Sequence, residues 1–197
     1  MTLADKVTST RLILAPLFFI IFFLPRFFPM LAPFGWTVPV LWILFLVSEF
    51  TDMLDGFLAR KRGEVSDFGK FFDPFADTLT QITFFLCFVT EGIFPPLLFL
   101  IVIYREFGIL FVRNLMLKKG VALGARLSGK IKTVTYIVAG ALALLVSSIT
   151  RLGLFEDYYR VFLLIANIIF ALAIVFAVFS FFEYVLVYRK TSKTTVE

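Results

Sequence analysis

The chain has 197 residues, 60% of them hydrophobic and 17% charged, with a net charge of +5 at pH 7 and a mean hydropathy of +0.97. Ordinary soluble domains carry about 25% charged residues, so the composition excludes a water-soluble globule and points to lipid as the surroundings. Zero histidines and one cysteine exclude His-based acid–base catalysis, zincin-type sites, a cysteine metal cluster and an intrachain disulfide.

Apolar runs recur at about 10–29, 36–58, 72–91, 95–117, 131–150 and 159–187, each long enough for a hydrocarbon layer of about 30 Å. They are continuously apolar rather than alternating, which predicts helices and not a closed barrel. The expected fold is an all-α integral membrane protein with six transmembrane helices, forming one membrane-embedded domain over residues 1–197.

The first run has the polar start of a secretory signal. It is too long for a signal core, and Leu31-Ala32-Pro33 offers no small-x-small cleavage site, so a retained anchor is expected. Pro16, Pro39, Pro74, Pro95 and Pro96 fall near expected helix starts or first turns, where a missing amide costs least. Trp36, Tyr158, Tyr159, Tyr184 and Tyr188 stand where interfacial rings belong. Cys87 is expected to pack within the third helix.

Basic residues alternate between the two sides of this layout. Lys6 and Arg11, then Arg60, Lys61, Arg62 and Lys70, then Lys118, Lys119, Arg126, Lys130 and Lys132, then Arg189, Lys190 and Lys193 share one side. The other side has Arg26, Arg151 and Arg160, the last two offset by Glu156 and Asp157. The positive-inside rule makes the richer side cytoplasmic and places both termini there.

The second and third runs face each other through the stretch DMLDGFLARKRGEVSDFGKFFDPFAD. Asp52 and Asp55 are one helical turn apart and share a face, as do Asp73 and Asp77. Four converging acids beside lipid repel one another unless a cation separates them, since each intramembrane acid costs about 2.5–3.5 kcal/mol on an insertion scale. All-carboxylate ligation suits Mg²⁺ or Mn²⁺, and two such ions grip a pyrophosphate well. Gly56 and Gly69 remove side chains beside the acids at about 1 kcal/mol of helix propensity each, leaving room for a bulky headgroup. Helix packing alone is the bland explanation of either glycine taken singly.

This stretch resembles the signature of the CDP-alcohol phosphatidyltransferases, D-x2-D-G-x2-A-R-x8-G-x3-D-x3-D, with Asp52, Asp55, Gly56, Ala59, Arg60, Gly69, Asp73 and Asp77 at its fixed positions. The resemblance implies a six-helix membrane core and, residue by residue, metal ligation by Asp52, Asp55, Asp73 and Asp77. It further implies Asp77 as general base and a CDP site formed by Asp55, Gly56, Ala59, Arg60, Gly69 and Asp73. A direct attack is then expected on the β-phosphorus of CDP-diacylglycerol, with CMP leaving and no phosphoenzyme, because a nucleophilic Asp would be lost to the ion cage.

Arg105 and Arg113 lie inside the fourth apolar run and need partners or ligand, with Glu106 a candidate partner for one of them. The segments YRE…R and SGKIKT are similar to the phosphatidylglycerophosphate synthase branch, which implies sn-glycerol 3-phosphate as acceptor. Arg113, Lys130 and Lys132 are then the expected acceptor-phosphate residues, with Arg105 and Arg126 behind them. Thr8 and Arg11 resemble the Leu-Thr-x-x-Arg lead of these synthases and are expected to close the pocket, although a helix cap followed by a topology charge accounts for them equally well. Thr78 stands where the branch has a lysine, and the Asn-x-Pro before the first helix is absent from Leu3-Ala4-Asp5.

Phosphatidylglycerol or inositol phosphate are alternative acceptors for the same chemistry. A divalent metal transporter is the competing class, disfavoured because the acids collect at one side instead of spanning the layer. A silent scaffold gains nothing from buried acids. The expected partners are CDP-diacylglycerol, sn-glycerol 3-phosphate and membrane lipid, with a homodimer compatible with the resemblance and no nucleic acid. The expected location is the bacterial inner membrane, with the active site facing the cytoplasm.

Overall fold

The computed structural model describes residues 3–30, 35–62, 67–118 and 127–194, and the side chains of residues 3–7, 53–62, 67–68, 70 and 191–194 lie outside the described set. Helix α1 spans Leu3–Phe27, α2 Thr37–Arg62, α3 Asp67–Thr90, α4 Pro96–Lys118, α5 Leu127–Leu152 and α6 Tyr159–Thr194. A short 3-10 turn, Glu156–Tyr158, leads into α6. Helix α1 packs against α2 and α3, α4 against α3 and α6, and α5 along α6.

The all-α class stands, but the count of six membrane crossings does not. Among the described residues three segments are long and apolar enough to cross a membrane: Thr8–Phe27, Leu127–Leu152 and Glu156–Lys190. The physical reason lies in the charges. Helix α4 carries Arg105, Glu106 and Arg113 in its interior and Lys118 at its end, α3 is diluted by Asp73, Asp77, Gln81 and its threonines, and α2 has described side chains only over residues 37–52. Placement of both termini on one side rested on six crossings and falls with that count.

The helices also extend further toward their polar starts than apolarity alone suggests. Pro16 and Pro25 therefore lie inside α1 and Pro74 inside α3, rather than at helix starts. Each interior proline leaves the carbonyl four residues earlier without its helical amide.

The core is an aromatic seam. Phe18, Phe45, Phe84, Phe85, Phe88, Phe94 and Phe170 are almost fully buried. Phe94 stacks on Phe170 with ring centroids 4.0 Å apart, Phe85 meets Tyr136 edge-on at 5.2 Å, and Phe18 tilts against Phe84 at 4.5 Å. Lipid offers no hydrophobic reward for helix association, so close packing of this kind carries much of the cohesion. Gly140 permits the approach of α5 to α2, because a Cβ there would lie 3.1 Å from the Phe45 ring.

The end of the bundle formed by the last turns of α1, α3 and α5 is fastened by Arg151. Its guanidinium donates to Ser147 Oγ at 2.9 Å, the Phe22 carbonyl at 3.0 Å and Glu91 Oε1 at 3.1 Å, and lies 4.4 Å from the Phe22 ring centroid. Cys87 is buried nearby in α3 as a free thiol.

Candidate active site

The acids gather at the opposite end of the bundle. Asp52 belongs to the second half of α2, and Asp73 and Asp77 are one turn apart in the first half of α3. Helix periodicity sets Asp73 and Asp77 on one face, and Arg11 joins Asp77 of that face to Asp52 of α2.

Helix α1 supplies the complementary charge. Arg11 Nη1 donates to Asp52 and, at 2.6 Å, to Asp77 Oδ1, while Thr8 Oγ1 donates to Asp73. Arg11 is 1% exposed while the Asp52 and Asp77 side chains are 34% and 55% exposed, so a buried guanidinium meets carboxylates that open onto the surface. Two carboxylates from different helices thus point at one positive charge.

This donor set fits a hard divalent ion, which takes oxygen ligands and is drawn to the same convergence of negative charge. Among the described residues no group of three ligating side chains gathers as a cation site. The side chain of Asp55, the fourth expected ligand, lies outside the described residues, as do those of Gly56, Ala59 and Arg60, although all four belong to α2. Gly69 is half-buried one turn before Asp73 in α3.

A cavity of about 300 Å³ opens beside the acids. Asp52, Asp73 and Asp77 line it together with Arg105, Arg113, Lys130 and Lys132. The structure therefore brings the expected acceptor residues of α4 and α5 to the same space as the acids. Arg126 lies outside the described residues.

The cations differ in what they hold. Arg105 is spent on structure: Nε donates to the Ala177 carbonyl at 2.9 Å, Nη1 to Glu106 Oε1 at 2.8 Å and Nη2 to Ser180 Oγ at 3.3 Å. Lys132 Nζ donates to the same Glu106 oxygen at 3.0 Å and lies 4.6 Å from the Tyr136 ring centroid. Glu106, 3% exposed, thus balances two cations at once. It pairs with its neighbour Arg105 and not with Arg113.

Arg113 and Lys130 form no ion pair among the described residues. The Arg113 guanidinium lies 5.6 Å from the Tyr184 ring centroid, and its buried Nε has no hydrogen-bond partner there. Lys130 is exposed at the cavity wall. A dianionic group entering the cavity meets these two charges without first breaking an ion pair.

Helix α6 completes the wall through Ser180 and Tyr184, which the sequence reading did not place in a site. Tyr184 had the look of an interfacial ring, yet it is 2% exposed and stands beneath Arg113. The signal was available in the polar Ser180 and Glu183 interrupting an otherwise apolar run. Glu183 accepts a hydrogen bond from Ser128 at the start of α5, which ties those two helices beside the cavity.

Comparison with known proteins bears on this geometry. The CDP-alcohol phosphatidyltransferase family profile matches residues 1–179. A CDP-diacylglycerol–glycerol-3-phosphate 3-phosphatidyltransferase of Treponema pallidum (strain Nichols) is 38% identical over 189 residues, covering 93% of this chain and 88% of that protein. The enzyme of the same name from Bacillus subtilis (strain 168) is 36% identical over 155 residues, covering 73% and 76%. A probable phosphatidylglycerophosphate synthase of Mycobacterium tuberculosis (strain ATCC 25618 / H37Rv) is 31% identical over 137 residues, covering 70% and 63%.

Proposed function

We propose that this chain, which belongs to the CDP-alcohol phosphatidyltransferase family, transfers the phosphatidyl group of CDP-diacylglycerol to sn-glycerol 3-phosphate, giving phosphatidylglycerophosphate and CMP. The observation that carries the reading is a cavity shared by Asp52, Asp73 and Asp77 of α2 and α3 and by Arg113, Lys130 and Lys132 of α4 and α5. Acids that suit a metal-bound pyrophosphate there adjoin cations that suit a second, separate phosphate. The names of the relatives support the same donor and acceptor.

In this reading Asp77 takes the proton from the acceptor's far hydroxyl as that oxygen forms its bond to the β-phosphorus of the donor. The bond from phosphorus to CMP breaks, and CMP departs with the electron pair. Mg²⁺ or Mn²⁺ ions held by Asp52, Asp55, Asp73 and Asp77, two in number, would supply positive charge to the phosphate oxygens. Gly56, Ala59 and Gly69 leave space for the nucleotide, with Arg60, Asp55 and Asp73 orienting it.

Arg113 and Lys130 hold the acceptor phosphate, and Lys132 adds its charge while anchored to Glu106. Arg105 shapes this wall from behind. The cluster of basic residues at this end of the bundle supports an orientation with the site at the cytoplasmic face of a bacterial inner membrane.

The test is to reconstitute the purified protein in vesicles with CDP-diacylglycerol and Mg²⁺ and to measure CMP release with glycerol 3-phosphate, inositol phosphate, phosphatidylglycerol or serine. Release with glycerol 3-phosphate alone is the expected result. Release with a different acceptor only would overturn the assignment of the acceptor while leaving phosphatidyl transfer intact.

A further inference from the structure

Thr8 and Arg11 lie one turn apart on α1, and between them they engage three acids of the two-helix motif: Thr8 bonds to Asp73, and Arg11 to Asp52 and Asp77. A buried guanidinium occupying two carboxylates competes with any cation that would use the same oxygens. Both cannot hold those oxygens fully, since two positive charges sharing one carboxylate repel each other.

The rest of α1 is fixed differently. Phe18 and Phe22, near the middle and end of the helix, are sealed into the aromatic seam against Phe84 and Phe88. Pro16 lies between the polar pair and the sealed rings. Its missing amide leaves the Leu12 carbonyl without a helical bond, so α1 has a place to bend at the junction of these two parts.

We infer that the first turns of α1 form an internal latch, in which Arg11 and Thr8 hold Asp52, Asp77 and Asp73 before divalent ions bind and yield when they do, the helix bending at Pro16. The latch keeps the repelling acids together in the metal-free protein, and its release gives up the ion pairs in exchange for metal ligation. Metal binding is thereby coupled to movement of the N-terminal turns. This inference rests on the metal ligation proposed above.

The experiment is a Mn²⁺ titration of the purified, detergent-solubilised protein followed by electron paramagnetic resonance, without CDP-lipid, comparing the unaltered chain with Arg11→Met. The latch requires the variant to bind Mn²⁺ about tenfold more tightly, as expected when a competitor is removed. It also requires a lower melting temperature without metal and a larger rise on adding Mn²⁺. Equal or weaker Mn²⁺ binding by a folded Arg11→Met protein would overturn it.

Should that variant fail to fold, spin labels at Ile13→Cys and Leu164→Cys, both on exposed positions, report on α1 with Arg11 in place. Adding Mg²⁺ must then shift the interspin distance distribution, and an unchanged distribution in a protein that binds the ion overturns the latch. Absence of any Mn²⁺ binding by the unaltered protein would instead remove the metal reading itself.

Discussion

Arg105 on α4 donates its Nε proton to the carbonyl of Ala177 on α6 across 2.9 Å. The bond joins two helices far apart in sequence at the wall of the cavity, and it withdraws this arginine from the set of cations ready for a substrate. Arg105→Ala should therefore cost about 1–3 kcal/mol of stability, the range for leaving buried acceptors unpaired, because the Ala177 carbonyl and Ser180 lose their donor while Glu106 keeps Lys132. Thermal unfolding in detergent measures the loss. An unchanged melting temperature with a raised KM for glycerol 3-phosphate would instead assign Arg105 to the substrate.

Arg113 and Lys130 carry the opposite expectation. In the proposed site each would supply charge-assisted hydrogen bonds of about 1.5–3 kcal/mol to a phosphate, so replacing either with alanine should raise KM for glycerol 3-phosphate by roughly 10- to 100-fold. The KM for CDP-diacylglycerol should hardly move. Equal losses for both substrates would sink the separation of the two phosphate sites.

Asp77→Asn keeps the shape of the side chain and removes its capacity to take a proton. Turnover should fall by about 10²- to 10⁴-fold, the usual worth of a positioned general base, while CDP-lipid binding persists. Binding measured with a radiolabelled donor and turnover measured by CMP release separate the two effects, and unimpaired turnover rules out the basic role.

Chelation should abolish the proposed transfer reversibly. EDTA is expected to abolish CMP release, and Mg²⁺ or Mn²⁺, but not Na⁺, should restore it. Asp73→Ala should raise the Mg²⁺ concentration needed for half-maximal rate, measured at saturating CDP-lipid. A rate indifferent to chelator would exclude the ion-dependent pathway.

Gly140→Val probes the seam away from the chemistry. The added side chain meets the Phe45 ring, already 3.1 Å from where a Cβ would stand, and overpacking of this sort costs about 1–3 kcal/mol. The expected result is a lowered melting temperature, with KM values for both substrates unchanged in the folded fraction.

The helices and the acidic motif were legible in the sequence because both depend on local spacing. Continuous apolar runs leave the backbone no partner but itself, and acids three or four residues apart must share a helix face. Membrane crossing was less legible, since it depends on how charge is spread along a helix: Arg105, Glu106 and Arg113 interrupt α4 in its interior, where an apolar outline hides them. Partner choice was least legible. Nothing in the local pattern says that Glu106 pairs with Arg105 and Lys132 while Arg113 rests over Tyr184, because those contacts follow from the packing of α4, α5 and α6. Tyr184 was misplaced for the same reason, aromatic residues near a helix end serving equally at a lipid boundary or under a buried cation.

The fastening of Phe22, Ser147 and Glu91 by Arg151 gives the bundle the stiffness of a bound book, with its spine at the end away from the acids. Thermal breathing along these helices should then grow with distance from the spine, until the bonds of Arg11 and Thr8 to the acids restrain it again. Amide exchange along α1, α3 and α5 should accordingly slow toward the spine.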